Sequence, residues 1–465
     1  MSWTAVDRGW TVLDRRPMVA TPLARHQRLV PNPVVTRHHA PMPAADVDQL
    51  LREQLIYLEA RSPFYAQRLR GAKVRGVGDL PLLPFTTKDE LREGQRREPP
   101  LGVHACARQE ELVRIHVTSG TTGDPVAVGF SRSDHDANSA IGGAAFAIAG
   151  LRPDDVVAHC LNYALYAGGI ADHMALESSG ATVIPVGTGQ SRRLLDLIPK
   201  LGITAIFGTL SFPAHLAARA REDGIDPAQL GIRHIVTAGE PGAGLAAVRG
   251  EIEAAWNATV ADTFGMSDVW STMAGACGEG EGMHLSLRGH AVLELIDPAS
   301  GGPLPLEDGA SGEFVWTHLR REASPLLRYR SGDLGRVWTS RCACGRDTRR
   351  IRIDGRRDDM LRVKAVNVYP QAISSIVAED PRLGRHCVVA QGDPIVPPLE
   401  IYVEAPSEAD LDGLSVRLHD ALGARFAVTR LEPGSLPVAE HKTRIVHRTA
   451  RGDELPPAIG AIRRG

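Results

Sequence analysis

Between residues 118 and 125 the chain runs Thr118-Ser119-Gly120-Thr121-Thr122-Gly123-Asp124-Pro125. Small hydroxyl residues and glycines make a loop rich in O–H and bare N–H donors, and glycine lets a polyanion approach the backbone. Phosphate is the ligand such a loop suits; a plain flexible loop is the other reading. It is not a Walker A loop, because the Lys-Ser/Thr ending and the helix after it are missing. Further on, Asp262-Thr263-Phe264-Gly265-Met266-Ser267-Asp268 offers an aromatic face for a base, a hydroxyl for a phosphate and a carboxylate for Mg²⁺. A buried Phe and a helix cap at Ser267 are the structural alternative. Tyr329-Arg330-Ser331-Gly332-Asp333 sets a carboxylate on a tight Ser-Gly turn after the last expected strand of the large unit. That carboxylate suits a ribose diol; a solvated Asp at a strand end is the simpler alternative. Residues 353–370 begin with a charged half (Asp354, Arg356, Arg357, Asp358, Asp359) that suits a hinge or a salt-bridged loop.

Six cysteines are present. Cys106, Cys160 and Cys387 stand alone and read as small buried hydrophobes. Cys277-x6-His284 and Cys342-x-Cys344 form two ligand pairs on glycine-rich loops, the kind of turn that wraps a tetrahedral ion. Four protein ligands leave no position for water, so a Zn²⁺ held there is structural.

The elements that must position these groups follow from periodicity. Leu112 to Val117 and Val126 to Phe130 read as strands on either side of the Thr/Ser loop. Residues 46–70 have helical spacing (Leu50, Leu51, Leu55, Leu58), and a helix starts near Thr86-Thr87-Lys88. Strands are expected at 156–159, 182–186, 205–208, 234–238, 260–264 and 313–319, alternating with helices. This is an α/β pattern with mostly parallel sheets and ligands near the strand ends. After residue 353 a small α+β unit is expected, with strands at 363–368, 387–390 and 399–404 and helices at 370–377 and 409–422.

The 465 residues have room for two or three domains, and 43% hydrophobic content with a net charge of -2 describes an ordinary soluble chain. That balance gives no case for nucleic acid or an anionic membrane, no apolar run spans a bilayer, and cytoplasm is the expected location. Of 53 basic residues only five are lysines: Lys73, Lys88, Lys200, Lys364 and Lys442. In so arginine-rich a chain, a surviving lysine marks a place where a compact ammonium is needed.

In order and spacing these stretches resemble the adenylate-forming superfamily, in particular its phenylacetate–CoA ligase-like branch. The resemblance runs from about residue 50 to 450. It takes in the Thr118 loop, the Phe264 motif, the Tyr329 motif, the hinge at 355–370 and Pro437-Val438-Ala439-Glu440-His441-Lys442-Thr443. It also takes in Gly239-Glu240-Pro241, which it assigns to the nucleotide site, and the Gly168-Gly169 stretch. The resemblance implies a large domain (1–353) and a swivelling domain (354–465) enclosing ATP and a carboxylic acid. The acid attacks the α-phosphate and a thiol, usually that of CoA, then displaces AMP. It further implies that Lys442 bridges acid and α-phosphate, Asp268 holds Mg²⁺, and Asp333 holds the ribose. Arg356 touches nucleotide, Asp358 is the hinge, and Tyr163, Tyr166, Gly168 and Gly169 line an aryl-acid pocket. Zn²⁺ on Cys277, His284, Cys342 and Cys344 belongs to the same picture. The partners are the acid, ATP and CoA, with a homodimer allowed.

Three departures from the pattern stand out. Asp268 replaces a Glu, Asp124 stands where a loop Lys is common, and Ala365 stands where a glycine faces the pantetheine tunnel. Ala365 keeps open a carrier-protein thiol or amine as acceptor, or a small oxyanion as the activated acid; a rival of a different class is a non-catalytic AMP-binding regulator, against which Lys442, Asp333 and the Ser/Thr loop weigh.

Overall fold

A computed structural model describes residues 44–118, 124–240, 246–364, 366–380, 382–436, 445–449 and 454–462. Two strands, β1 (Arg114–Val117) and β2 (Ala127–Phe130), form an antiparallel hairpin around the Thr/Ser loop. The large sheet has twelve strands. They are β3 (Val156–His159), β4 (Thr182–Pro185), β5 (Ala205–Gly208), β6 (His234–Thr237), β7 (Thr259–Phe264), β8 (Ala274–Ala276), β9 (Met283–Leu285), β10 (Ala291–Ile296), β11 (Pro303–Leu304), β12 (Ser311–His318), β13 (Tyr329–Trp338) and β14 (Arg350–Arg356). Their order is β11-β10-β12-β13-β14-β9-β8-β7-β6-β5-β3-β4.

The five strands from β3 to β7 are parallel, each joined to the next through a helix, as the alternation of apolar runs and helical stretches implies. From β7 onward every pairing is antiparallel, so the strand expected at 313–319 lies in an antiparallel meander. Its connections are too short to carry a crossover helix. The core follows this division. Trp256, Ile206 and Ile235 pack behind the parallel strands, and Trp270, Trp316 and Phe314 pack under the antiparallel ones.

Two expectations are corrected. Residues 363–368 do not form one strand: β15 (Leu361–Val363) and β16 (Val366–Val368) make a hairpin, because Lys364 takes φ +54° and reverses the chain. The Ser331-Gly332-Asp333 stretch is not a turn after a strand but the interior of β13, kinked where Gly332 takes φ +79°. β14 also continues through Arg356, three residues past the expected boundary, and still pairs with β13 (Asp333 with Arg356).

Beyond it, β17 (His386–Ala390), β18 (Leu399–Glu404), β19 (Phe426–Leu431) and β20 (Val446–Arg448) form a four-stranded sheet ordered β19-β18-β17-β20. Helices Pro370–Val377 and Leu411–Leu422 cover one face, in a core shared with Leu361, Val363 and Val368. No helix among the described residues is long and apolar enough to cross a membrane.

Candidate active site

The C-terminal ends of β5, β6 and β7 point to one edge of the sheet, where open parallel sheets bind ligands. At the end of β7, Phe264 leads into a tight reversal in which Met266 N–H donates to Trp270 O at 2.8 Å. Gly265 is required there. A Cβ at that position would lie 1.8 Å from Ser271 O, closer than any side chain is tolerated. The reversal buries Asp268 at 5% exposure.

Asp268 Oδ2 meets Lys88 Nζ at 3.3 Å, while Oδ1 is buried with no hydrogen-bond partner among the described residues. Lys88 is the first residue of helix Lys88–Arg97, capped by Thr87 and Glu90 in a reciprocal box. The preceding Thr86 is tied to the strand that carries Asp333: its Oγ1 donates to Leu327 O at 2.7 Å, and Arg330 N–H donates to Thr86 O at 2.9 Å. One set of backbone bonds thus fixes Lys88 and Asp333 relative to each other.

Asp333 is buried. Arg356 Nη1 donates to its Oδ1 at 2.9 Å, and Oδ2 has no partner among the described residues. Burial raises the Asp333 carboxyl above its ordinary value even though Arg356 opposes the shift. The same guanidinium donates to both oxygens of Asp358, at 2.9 and 3.1 Å. For Asp358, burial acts against the charge but Arg356 outweighs it, leaving the carboxyl below its ordinary value. The Tyr329 hydroxyl is fully buried and lies against Asp268, with Asp333 also near. Buried carboxylate oxygens without a partner among the described residues, at Asp268 and Asp333, are uncommon in a folded protein and mark a site built for a polar ligand.

Other expected residues take their places around this centre. Thr118 closes the base of the Thr/Ser loop, with Val126 N–H donating to its Oγ1 at 3.0 Å. The buried Thr263 hydroxyl donates to Thr237 O at 2.8 Å. Asp262 accepts from Thr237 at 3.2 Å, and burial pushes its carboxyl up to about 7. Gly239 takes φ +79°, and the Glu240 carboxylate accepts from Ser211 N–H at 2.8 Å at the start of helix Ser211–Glu222. Ser267 is half-buried in the β7 reversal.

In the expected acid pocket, Tyr163 Oη is 2.8 Å from His173 Nδ1, and Tyr166 is partly exposed. Gly168 has Asp172 and Leu161 about it, while a Cβ at Gly169 would lie 2.5 Å from Asn162 O, so the loop closes only on glycine. Ser119, Gly120, Thr121, Thr122, Gly123, Pro241, Ala365 and Lys442 lie outside the described residues.

Lys88 was missed as a site residue, although the scarcity of lysine pointed to it. It brings an ammonium to Asp268. Asp124, which replaces a common lysine, instead faces Arg96 at 3.6 Å on the surface.

The four metal-type residues come together at the far end of β9 and β14. Cys277, His284, Cys342 and Cys344 place their ligand atoms within 4.8 Å of one another. Cys277 Sγ and Cys342 Sγ are 3.7 Å apart, and Cys344 Sγ is 3.4 Å from His284 Nε2. His284 Nδ1 meets Thr348 Oγ1 at 2.8 Å, which turns Nε2 toward the thiols. A Cβ at Gly280 would sit 3.1 Å from Cys342 Sγ, so the loop wraps closely around the cluster.

The fold and this centre define an AMP-binding enzyme: the AMP-binding enzyme family model matches residues 57–318, and the chain belongs to that adenylate-forming family. Within it the chain is phenylacetate–CoA ligase-like. It is 32% identical to the phenylacetate-coenzyme A ligase of Thermus thermophilus over 84% of this chain and 93% of that one. It also superposes on 2-hydroxyisobutyryl-CoA ligase in the postadenylation state with 2-HIB-AMP. The TM-score there is 0.81 at 28% identity, over 92% of this chain and 94% of that one. Against the same ligase in its thioesterfication state with CoA the TM-score falls to 0.65 at 29% identity, over 92% and 93% of the two chains.

Proposed function

We propose that this enzyme joins ATP to an aryl or arylacetic acid, releasing pyrophosphate, and then passes the acyl group to the thiol of CoA, releasing AMP. The observation that carries this reading is the pair of buried carboxylates Asp268 and Asp333, each with one oxygen free of a partner among the described residues and the other held by Lys88 or Arg356. An acid oxygen attacks the α-phosphorus, the bond to the β-phosphate oxygen breaks, and a mixed anhydride forms. In the second step the thiol sulfur attacks the acyl carbon and AMP leaves. Such transfers need placement and charge compensation more than covalent help.

Asp333 Oδ2 takes the ribose hydroxyls, Phe264 stacks on the base, and Ser267 with the Thr118 loop receives phosphate. Lys88 offsets charge on the pyrophosphate side. Asp268 Oδ1, buried and unpartnered, fits Mg²⁺, which when bound neutralises the phosphates. The Cys277, His284, Cys342 and Cys344 cluster fits a structural Zn²⁺. Six free thiols and the need for ATP suit the cytoplasm.

The test is pyrophosphate exchange with a panel of acids, followed by AMP release on adding CoA. Exchange with no acid at all would sink the reading. Exchange without CoA-dependent release would transfer it to a carrier-protein thiol or an amine. Lys88→Ala removes a cation and leaves Asp268 buried and alone. It is expected to lower kcat/KM for ATP in the exchange assay about ten- to a hundredfold. An unchanged value would place Lys88 outside the site.

We propose further that the chain divides into a nucleotide- and acid-binding domain and a small domain that swivels about Asp358. In support, the α+β core starts at Leu361, just past the Arg356–Asp358 pair. The difference between TM-scores of 0.81 and 0.65 against two states of one relative fits a moving domain. Asp358→Pro fixes φ near -65° and takes away the Arg356 partner. Stopped-flow assays of the two half-reactions should show adenylation largely kept and thiol transfer slowed about tenfold or more. Equal loss in both steps would remove the hinge role.

A further inference from the structure

The strand that follows Lys442 in the chain is tied to the hinge by Arg448. That strand, β20 (Val446–Arg448), is three residues long and lies at the edge of its sheet. Among the described residues it pairs on one side, with β17. Val388 N–H donates to Ile445 O at 2.8 Å and pins the start of the strand. At its other end Arg448 Nη2 donates to Asp359 O and to Met360 O, each at 3.0 Å. Asp359 ends the helical turn Arg357–Asp359, where backbone carbonyls find no acceptor role inside so short a turn. One guanidinium nitrogen carries two diverging N–H groups, which suit two successive carbonyls.

The same contacts bound the pivot. Upstream, β14 stays in the large sheet through Arg356, which lies opposite Asp333. Downstream, Arg448 holds Asp359 and Met360, and the core of the small unit begins at Leu361. Between the two anchors lie Arg357 and Asp358. Lys442 stands six residues before Arg448 in the chain. A turn at Arg357 and Asp358 therefore moves the strand after Lys442 in step with the hairpin β15–β16. Without Arg448 the pivot would lengthen to take in Asp359 and Met360, and the end of β20 would have its one-sided pairing to hold it.

We infer that Arg448 is a positioning residue for adenylation: by tying β20 to Asp359 and Met360 it sets the stretch carrying Lys442 in register with the hinge. The inference rests on the adenylation and swivel readings above, and on Lys442 as the bridge between acid and α-phosphate. The role is one of placement, and a misplacement of about 1 Å costs up to about a hundredfold in rate. Thiol transfer needs Arg448 less, because the hairpin β15–β16 is held by its own core residues Leu361, Val363 and Val368.

The test uses the full chain with Arg448→Ala, Arg448→Lys, Lys442→Ala and the double variant Arg448→Ala/Lys442→Ala. In Arg448→Ala, kcat for pyrophosphate exchange should fall about ten- to a hundredfold, with KM for ATP and acid within about twofold of wild type. Thiol transfer from a synthetic acyl-adenylate should change by less than about threefold. Arg448→Lys, which keeps a charged donor on a shorter reach, should recover part of the exchange rate. Arg448→Gln keeps one amide donor and should give the same kcat-against-KM split if the alanine variant does not fold. The double variant should be no slower than Lys442→Ala, since the two residues act as one unit. Unchanged exchange in Arg448→Ala overturns the inference and leaves adenylation intact. So does equal loss in both half-reactions, a loss that adds to that of Lys442→Ala, or near-native exchange in Lys442→Ala. A wild-type enzyme that exchanges with none of the acids removes the adenylation reading, and this inference with it.

Discussion

Replacing Lys442 by alanine lowers kcat for adenylation by about a hundred- to a thousandfold, with little change in KM for ATP or acid. The expectation rests on what an ammonium does between a carboxylate and an α-phosphate. Charge moves onto the phosphorus oxygens as the acid attacks, so a cation held there binds the transition state better than the ground state. Lys442 lies outside the described residues, but the chain on either side is anchored. Leu436 N–H donates to the buried Glu404 at 2.6 Å, and Val446–Arg448 pairs with β17. Arginine should not restore the rate, since its planar fork spreads its charge and needs more room. Thiol transfer started from a synthetic acyl-adenylate should run nearly normally in both variants, because the swivel proposed above would take Lys442 out of the site for that step. Near-native pyrophosphate exchange in Lys442→Ala or Lys442→Arg would falsify its role.

Much of this centre was legible because its residues are unusual for their positions. A Thr/Ser/Gly run between two strands, an aromatic-Gly turn ending in Asp268 and a lone carboxylate at Asp333 all break apolar periodicity, and ligand sites do the same. Asp333 also shows the limit. Its sequence suits a turn, yet β13 buries alternate residues: Tyr329, Ser331, Asp333, Gly335 and Val337. The inward face of that strand is filled by polar and small groups serving the site, so a search for alternating hydrophobics passes over it. β14 was lost for a related reason. Its isoleucines, Ile351 and Ile353, alternate with arginines, and the charges read as a hinge.

Lys88 was out of reach in another way. Its meaning depends on Thr86 bonding to Leu327 and Arg330, some 240 residues later in the chain. Local pattern reported only a capped helix start, which is also correct. The lysine count held the missing signal, because so few lysines survive.

The metal cluster separates what spacing reveals from what topology supplies. Cys277-x6-His284 and Cys342-x-Cys344 each suggest half a site, but nothing local says that the halves meet. They meet because β9 pairs with β14 in a register that sets His284 opposite Arg350, six residues after Cys344. If Zn²⁺ closes this corner, it joins the loop between β8 and β9 to the loop between β13 and β14, and so braces the strand that leads to Arg356. The purified enzyme should then contain about one zinc per chain, and Cys342→Ala should lose it. Loss of a metal ligand belongs with the most damaging single substitutions, about 4 kcal/mol or more. At about 1–1.5 °C per kcal/mol for a domain of roughly 350 residues, the melting temperature should fall by about 5 °C. ATP affinity at a temperature where the variant stays folded should change far less, because none of the four ligands lies among Lys88, Asp268, Asp333 and Arg356. Metal analysis that finds no zinc in protein prepared without chelator, or a disulfide between Cys277 and Cys342, would remove the ion from this account.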